Sequence, residues 1–225
     1  MNITVIFIVC QVLSFVPAIV FHEVAHGFAA SKLGDPTARS QGRLSLNPLR
    51  HIDPFGTVIL PAILMFMGGP VFGYAKPVPY NPLYFKDRRK GEAIVGLAGP
   101  AANLVMALIG AALVWLFSPL MSAGLGGSLV FSVFYLVFLP TFIRINLYFM
   151  FFNLIPIPPL DGSSVIALFL SNKQLASYYR IQAYALPIFM AVVILVPYIL
   201  HINPIGIYLN ATAGSLASLL LPAGL

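Results

Sequence analysis

The stretch FVPAIVFHEVAHGFAA, residues 15–30, places two histidines and a glutamate inside an apolar run. His22 and His26 are four residues apart, so on a helix they lie about 40° apart and their imidazoles point to the same side. This spacing suits two ligands of one tetrahedral zinc ion, and Glu23 between them has the position of a general base. Charged groups at membrane depth are costly, so this pattern indicates a function.

The composition is that of a polytopic membrane protein. The chain is 60% hydrophobic and 8% charged, with a mean hydropathy of +0.94, which is more apolar than a soluble domain. The net charge of +6 does not indicate nucleic-acid binding, because most Lys and Arg residues lie in short segments between apolar runs, as in cytoplasmic membrane loops. The single cysteine, Cys10, excludes an intrachain disulfide and argues against a thiolate metal site.

Loop charge predicts the topology. The apolar runs cover about 3–30, 57–75, 92–117, 128–152, 184–200 and 205–223. Basic residues lie in 31–56, 76–91 and 171–183, whereas 118–127 has no charge. The positive-inside rule therefore places the first three segments in the cytoplasm and the last one outside, with the N-terminus also outside.

The run 57–75 has cytoplasmic loops on both sides, so we expect that it does not cross the membrane. Its glycines and prolines agree, because irregular backbone at membrane depth is tolerated only when it packs within protein or lines a cavity. We predict a re-entrant, partly β-hairpin-like element at about 57–80; a kinked full span is the alternative. The fold class is then an all-α polytopic membrane protein with five transmembrane helices, within a range of four to six.

Two histidines do not complete a catalytic zinc site, which usually has three protein ligands and one open position. Asp161 is the best third candidate, because the proline-rich stretch before it opens the fourth run at its cytoplasmic end, at the depth of the histidines. Alternatively, Asp161 only caps the helix that begins near Ser163. The weaker candidates are Asp35, Asp53, Asp87, Glu92 and His51, whereas His201 is excluded because the topology places it on the far side of the membrane.

The motif at 22–26 together with NLIPIPPLDG, residues 153–162, resembles the site-2 protease family of intramembrane zinc metalloproteases. LAGPAAN, residues 97–103, resembles the small-residue motif of that family's central helix, and segments 47–54 and 73–82 resemble its short bacterial members. The resemblance covers about 15–170 and implies a form without PDZ or CBS domains. It implies one Zn²⁺ per chain, held by His22, His26 and Asp161, with Glu23 as the base.

The predicted function is an intramembrane zinc endopeptidase that hydrolyses peptide bonds in or near transmembrane segments of other membrane proteins. Glu23 would take the proton of a zinc-activated water, and Asn153 is a candidate oxyanion donor. A helix C-cap or a backbone hydrogen bond is the alternative role of Asn153. Other candidate functions are a membrane metal transporter and a non-catalytic relative that binds transmembrane segments.

We expect one membrane-embedded domain over 1–225, with a catalytic core at about 1–170 and C-terminal helices at 184–223. Its partners would be substrate transmembrane segments and the lipid bilayer, and not nucleic acid. The expected location is a prokaryotic cell membrane with the active site toward the cytoplasm. The sequence does not determine the oligomeric state.

A substrate helix must unwind before its peptide bonds become accessible, and a strand edge would hold the unwound segment by β-augmentation. Segments 39–47 and 73–81 are the candidate strands, and a pair of solvated turns is the alternative. Three further predictions concern single residues or short motifs. His51 is a surface or interfacial histidine, Arg144 either snorkels or pairs with a carboxylate, and the small residues of 99–102 serve helix packing.

Overall fold

The structure is a computed structural model that describes residues 2–59, 62–63, 75–122 and 128–225. All regular elements in these ranges are helical, which confirms the predicted all-α class. The first half contains α1 (Ile3–Lys32), α2 (Thr37–Ser40), α3 (Arg88–Ser122) and α4 (Leu129–Asn153), the last with a π-type turn at Phe134–Phe138. The second half contains α5 (Ser163–Ile166), α6 (Asn172–Gln182), α7 (Ala185–Leu200) and α8 (204–220, in three consecutive segments).

Among the described helices, α1, α3 and α4 are long and apolar enough to cross a membrane. The pair α6 and α7 adds a fourth candidate, but the two helices are bent by 63° relative to each other. α6 is polar, with Lys173 and Arg180, and α7 is almost wholly apolar, so the bend separates a polar helix from an apolar one. The count of five spans is therefore not confirmed.

Contacts between the three long helices define their directions. Ala18 in α1 lies against Asn103 in α3, whereas His26, further along α1, lies against Val95. The residue numbers run in opposite senses, so α1 and α3 are antiparallel. Asn103 contacts Asn146, and a Cβ on Gly110 would meet Phe142, so α3 and α4 are antiparallel and α1 and α4 are parallel. Lys32 and Arg88 consequently lie at the same end of the bundle.

The main apolar core lies between α3, α4 and α8, where small residues allow a close approach. Ile143 and Leu147 are fully buried, and a Cβ on Gly110 would lie only 2.9 Å from Ile143 Cγ1. Such close packing of small against large side chains is what holds helices together in lipid, where no hydrophobic effect drives them. The fully or nearly fully buried core residues are Ala107, Ala111, Val114, Tyr135, Leu139, Ile143, Leu147, Met150, Ala213, Ala217 and Leu221.

The two flanks of the predicted re-entrant element meet at the end of the bundle where α1 ends. Lys76 donates its backbone N–H to His51 O (2.9 Å), and Asn81 donates its N–H to Asp35 Oδ2 (2.6 Å). Residues 60–61 and 64–74, on which the re-entrant prediction depends, lie outside the described residues. In the described parts of 39–47 and 75–81 there is no strand, so the β-hairpin-like element is not confirmed.

We expect Ala107→Leu to lower the free energy of unfolding by about 1–3 kcal/mol, because the larger side chain has no room between α3 and α4. Ala107 is 0% exposed. The matched control is Ala112→Leu on the exposed side of the same helix, which should leave stability unchanged. Unfolding by SDS titration in mixed micelles measures both variants, and equal midpoints would contradict the packing.

Candidate metal centre

Three side chains converge where α1, α3 and the segment before α5 meet. His22 Nε2 lies 3.0 Å from Asp161 Oδ2, His26 Nε2 lies 3.3 Å from the same oxygen, and the two Nε2 atoms are 3.0 Å apart. Among the described residues, these three form the group of possible ligands whose atoms all lie within 4.8 Å of one another. The structure therefore brings together the three residues that the sequence predicted as ligands.

The chain after α4 explains how Asp161 reaches this place. α4 ends at Asn153, and the following prolines cannot continue a helix. Gly162 donates its N–H to Asn153 O (2.6 Å), which folds the chain back on itself, and a Cβ on Gly162 would collide with the backbone oxygen of Leu154. Gly162 occupies the N-cap position of α5 and that helix has no side-chain cap. The alternative that Asp161 serves as its cap is therefore wrong.

Hydrogen bonds fix which ring nitrogen of each histidine carries a hydrogen. His26 Nδ1 lies 2.6 Å from Val95 O, and a carbonyl only accepts, so this nitrogen donates. Asn103 Nδ2 donates to Ala18 O (3.0 Å), which places its Oδ1 at His22 Nδ1, 2.7 Å away. His22 Nδ1 therefore also donates, and in the neutral imidazoles both Nε2 atoms carry lone pairs.

These lone pairs make the site fit a cation. Both Nε2 atoms point at Asp161 Oδ2, which is buried and has no hydrogen-bond donor. As a carboxylate, Asp161 offers a third lone pair at the same point. Two imidazole nitrogens and one carboxylate form a donor set typical of a three-ligand zinc site.

Gly99 in α3 provides the space for this group. A Cβ at this position would lie 2.5 Å from His26 Nε2 and 2.6 Å from His22 Nε2. The predicted packing role of Gly99 is therefore more specific than a helix–helix contact, because the backbone of α3 passes directly against the two imidazoles. Val95, Gly99 and Asn103 follow one another at four-residue intervals and form the face of α3 that meets the histidines.

Glu23 and Asn153 lie in the wall of a cavity of about 680 Å³ that also exposes His22 and Asp161. Glu23 Oε2 accepts the N–H of Val78 at 2.8 Å. Asn153 Nδ2 donates to Phe149 O in its own helix at 3.0 Å, so this bond lies within α4 and does not reach the opened segment that follows it. The apolar wall of the cavity consists mainly of Phe15, Ile19, Ile145, Phe149, Phe152, Leu186, Phe189 and Leu209.

The weaker ligand candidates have structural partners elsewhere. Asp35 is buried and accepts from Thr37 and Asn81. Glu92 pairs with Arg88 and accepts from the Tyr179 hydroxyl at 2.6 Å.

His51 is buried and donates to Ser45 O, so it is not a surface histidine. Arg144 donates to the backbone oxygen of Leu225 at 3.1 Å.

The chain is similar to known metalloproteases over most of its length. The model of peptidase family M50 matches residues 10–196. The chain belongs to peptidase family M50. This is the site-2 protease family, so the resemblance seen in the sequence is confirmed.

Three relatives are named as zinc metalloproteases. YwhC of Bacillus subtilis is 36% identical over 92% of this chain and 89% of its own length. Rip2 of Mycolicibacterium smegmatis is 33% identical over 63% of this chain and 49% of its own, and MJ0611 of Methanocaldococcus jannaschii is 28% identical over 73% of each. No solved structure is significantly similar to the chain. Membership in M50 confirms zinc as the metal and supports a protease over a metal transporter.

Three supporting residues of the site, Asn103, Asn146 and Arg43, were not predicted from the sequence. Asn103 was considered only as part of the motif at 97–103, and no role was predicted for Asn146 or Arg43. The available signal was an asparagine inside each of two apolar runs, since polar side chains at membrane depth need a partner. Arg43 holds the segment over Glu23, donating to Lys76 O (2.8 Å) and Pro77 O (3.2 Å).

We expect Gly99→Ala to abolish stoichiometric zinc binding, because its methyl group would occupy the space between the imidazoles. Alanine is the better helix former by about 1 kcal/mol, so α3 itself should not be weakened. Ala112→Leu, on the exposed side of the same helix, is the control, because it adds bulk to α3 away from the imidazoles. Elemental analysis of both purified variants gives the zinc content; a full equivalent in Gly99→Ala would contradict this geometry.

Proposed function

We propose that this M50 protein is an intramembrane zinc endopeptidase that cleaves peptide bonds in or near transmembrane segments of other membrane proteins. The observation that carries the proposal is the convergence of His22, His26 and Asp161 on one point beside Glu23, at the wall of an apolar cavity between membrane helices. The family and the names of its relatives support the hydrolase chemistry. The intramembrane substrate is inferred from the surroundings of the site.

The ligand assignment follows from the lone pairs described above. His22 and His26 offer Nε2 and Asp161 offers Oδ2, and each histidine is held by a hydrogen bond on its other nitrogen. Zinc held there activates water and polarises a peptide carbonyl. The protein fixes the positions of these three ligands. Glu23 lies next to them but is not a ligand itself.

Glu23 is the proposed general base. It neighbours His22 on α1 and faces the cavity, where its Oε2 accepts the Val78 N–H. This hydrogen bond holds the carboxylate on the cavity side of α1. A carboxylate in this position takes a proton from the attacking water and passes it to the leaving amine.

The cavity suits a short unwound piece of an apolar helix. An α-helix is about 10–12 Å wide and rises about 5.4 Å per turn, so a cavity of about 680 Å³ accommodates roughly one turn. A longer intact helix would not fit beside the ligand group. Aromatic and aliphatic side chains of α1, α4, α7 and α8 form the walls, which favours apolar over charged substrate residues.

The segment 76–78 is not available to pair with a substrate strand in this arrangement. The N–H groups of Lys76 and Val78 are donated to His51 O and Glu23, their neighbour Pro77 has no N–H, and Arg43 binds the carbonyls of Lys76 and Pro77. β-Augmentation at these residues would require the loss of those bonds. We therefore propose that the cavity walls hold the substrate segment in an extended conformation. Asn153 is the proposed oxyanion donor.

We further propose that the site faces the cytoplasm, as the loop charges predicted. The described flanks of the connection from α1 to α3, residues 33–59 and 75–87, lie at the end of the bundle nearest the ligand group. Positively charged connections stay on the cytoplasmic side. The basic residues of this region are Lys32, Arg39, Arg43, Arg50, Lys76, Lys86, Arg88, Arg89 and Lys90.

We expect Glu23→Gln to keep one zinc per chain and to lower the cleavage rate of a transmembrane-segment substrate by about 10²–10⁴-fold, because a carboxamide cannot accept the proton. Its oxygen still accepts the Val78 N–H, so the local structure should be preserved. Asp161→Ala is the contrasting variant and should lose both zinc and cleavage. Purified proteins in detergent with added zinc provide the test, and equal rates for Glu23→Gln and the parent would exclude Glu23 as the base.

Cysteine labelling tests the orientation in a Cys10→Ala background. Ser128 lies directly before α4, and Lys173 lies at the opposite end of the bundle, beside the N-terminus of α3; both are exposed. A thiol reagent that does not cross membranes should label Ser128→Cys in intact cells and Lys173→Cys only after permeabilisation. The reverse pattern would place the catalytic side outside.

A further inference from the structure

A chain of buried polar contacts runs from His22 through three helices. His22 Nδ1 donates to Asn103 Oδ1 (2.7 Å), and Asn103 Nδ2 donates to Ala18 O and to Asn146 Oδ1 (both 3.0 Å). Asn146 Nδ2 then donates to Phe142 O (2.9 Å). The two asparagines are 0% exposed, so every one of these partners is protein.

We propose that Asn103 is a positioning residue for the metal ligand His22, and that Asn146 holds Asn103 in place for this task. The inference rests on the proposed ligand role of His22 and goes beyond it. A buried amide without partners is strongly unfavourable at membrane depth, so the pair is stable only when its bonds are satisfied. The hydrogen bond that Asn103 Oδ1 accepts from His22 Nδ1 is therefore also the bond that orients the His22 ring.

The contact controls two properties of His22. It keeps the hydrogen on Nδ1, so that Nε2 presents its lone pair to the metal, and it fixes rotation of the ring about its bond to Cβ. Phe149 packs against the same ring, with centroids 4.7 Å apart and planes inclined by 52°. An aromatic contact limits the tilt of the ring but does not select a tautomer, so that selection depends on Asn103.

The two histidines are supported in different ways. His26 Nδ1 donates to a backbone carbonyl, Val95 O, whereas His22 Nδ1 donates to a side chain. Loss of the Asn103 side chain should therefore affect one ligand and leave the other correctly held. We expect weaker zinc binding with retained fold, rather than collapse of the site.

The decisive comparison is Asn103→Leu against Asn103→Asp. Both variants lose the donors to Ala18 O and Asn146 Oδ1, but the carboxylate still accepts from His22 Nδ1 and leucine does not. We expect Asn103→Leu to weaken zinc binding by about 10–100-fold, which is the usual effect of removing such a partner, and Asn103→Asp to stay near the parent value. Competition with a calibrated zinc chelator measures both in detergent.

Asn146→Leu keeps the acceptor for His22 but removes the partner that holds Asn103, so its zinc affinity should be intermediate. The double variant with Asn103→Leu should be no weaker than Asn103→Leu alone, because both act through one contact. The visible spectrum of the cobalt(II)-substituted protein should change in Asn103→Leu and stay unchanged in Val114→Ala, a buried control in the same helix.

The outcomes separate this inference from the proposed function. If the parent binds one zinc that Asp161→Ala loses, but Asn103→Leu binds zinc as tightly as the parent, the positioning role is wrong and the metal site stands. Equal weakening by Asn103→Leu and Asn103→Asp would also overturn it, because that result indicates a structural role of the lost donors. A parent protein that binds no zinc would overturn both proposals.

Discussion

Three lone pairs that face one another in an apolar bundle are the constraint on which this structure depends. His22, His26 and Asp161 bring electron-rich atoms within 3.3 Å of each other, and an arrangement of this kind requires a cation or a proton between them. The rest of the fold positions these three side chains. α1 carries two of the groups, the folded-back segment after α4 carries the third, and α3 passes between with a glycine at the point of closest approach.

The general base depends on the same framework through a separate set of contacts. Arg43 and Asp35 hold the two ends of segment 76–81, and the segment in turn donates Val78 N–H to Glu23. The loops that follow α1 therefore contribute to the site although they supply no ligand. Charged side chains anchor the segment by binding backbone oxygens and N–H groups, which are interactions that remain strong near a low-dielectric bundle.

Much of the site could be predicted from the sequence, because its main features depend on residues that are close together in the chain. The four-residue step from His22 to His26 and the prolines before Asp161 each have a direct geometric meaning. The all-α fold class was also predicted correctly from the apolar runs. The number of spans was not, because α7, which covers the apolar run 184–200, has only 16 residues and is bent by 63° from the polar α6.

The supporting residues were harder to predict because their partners are distant in sequence. Asn103 and His22 are separated by 81 positions, and only the antiparallel register of α1 and α3 brings them together. Gly99 was interpreted as a helix-packing residue, and its actual neighbours are imidazoles. The strand prediction for 73–81 considered prolines that fit a strand edge, but it could not anticipate that Glu23, His51 and Arg43 would bind the backbone groups of 76–78.

The different supports of the two histidines have an evolutionary consequence. The bond to His26 comes from the main chain, so any residue that keeps α3 helical and fits at position 95 preserves it. The bond to His22 depends on the identity of one side chain, and Asn103 itself depends on Asn146. Substitution at 95 is therefore limited only by packing, whereas position 103 must keep an acceptor for His22 Nδ1 and position 146 a partner for the Asn103 amide.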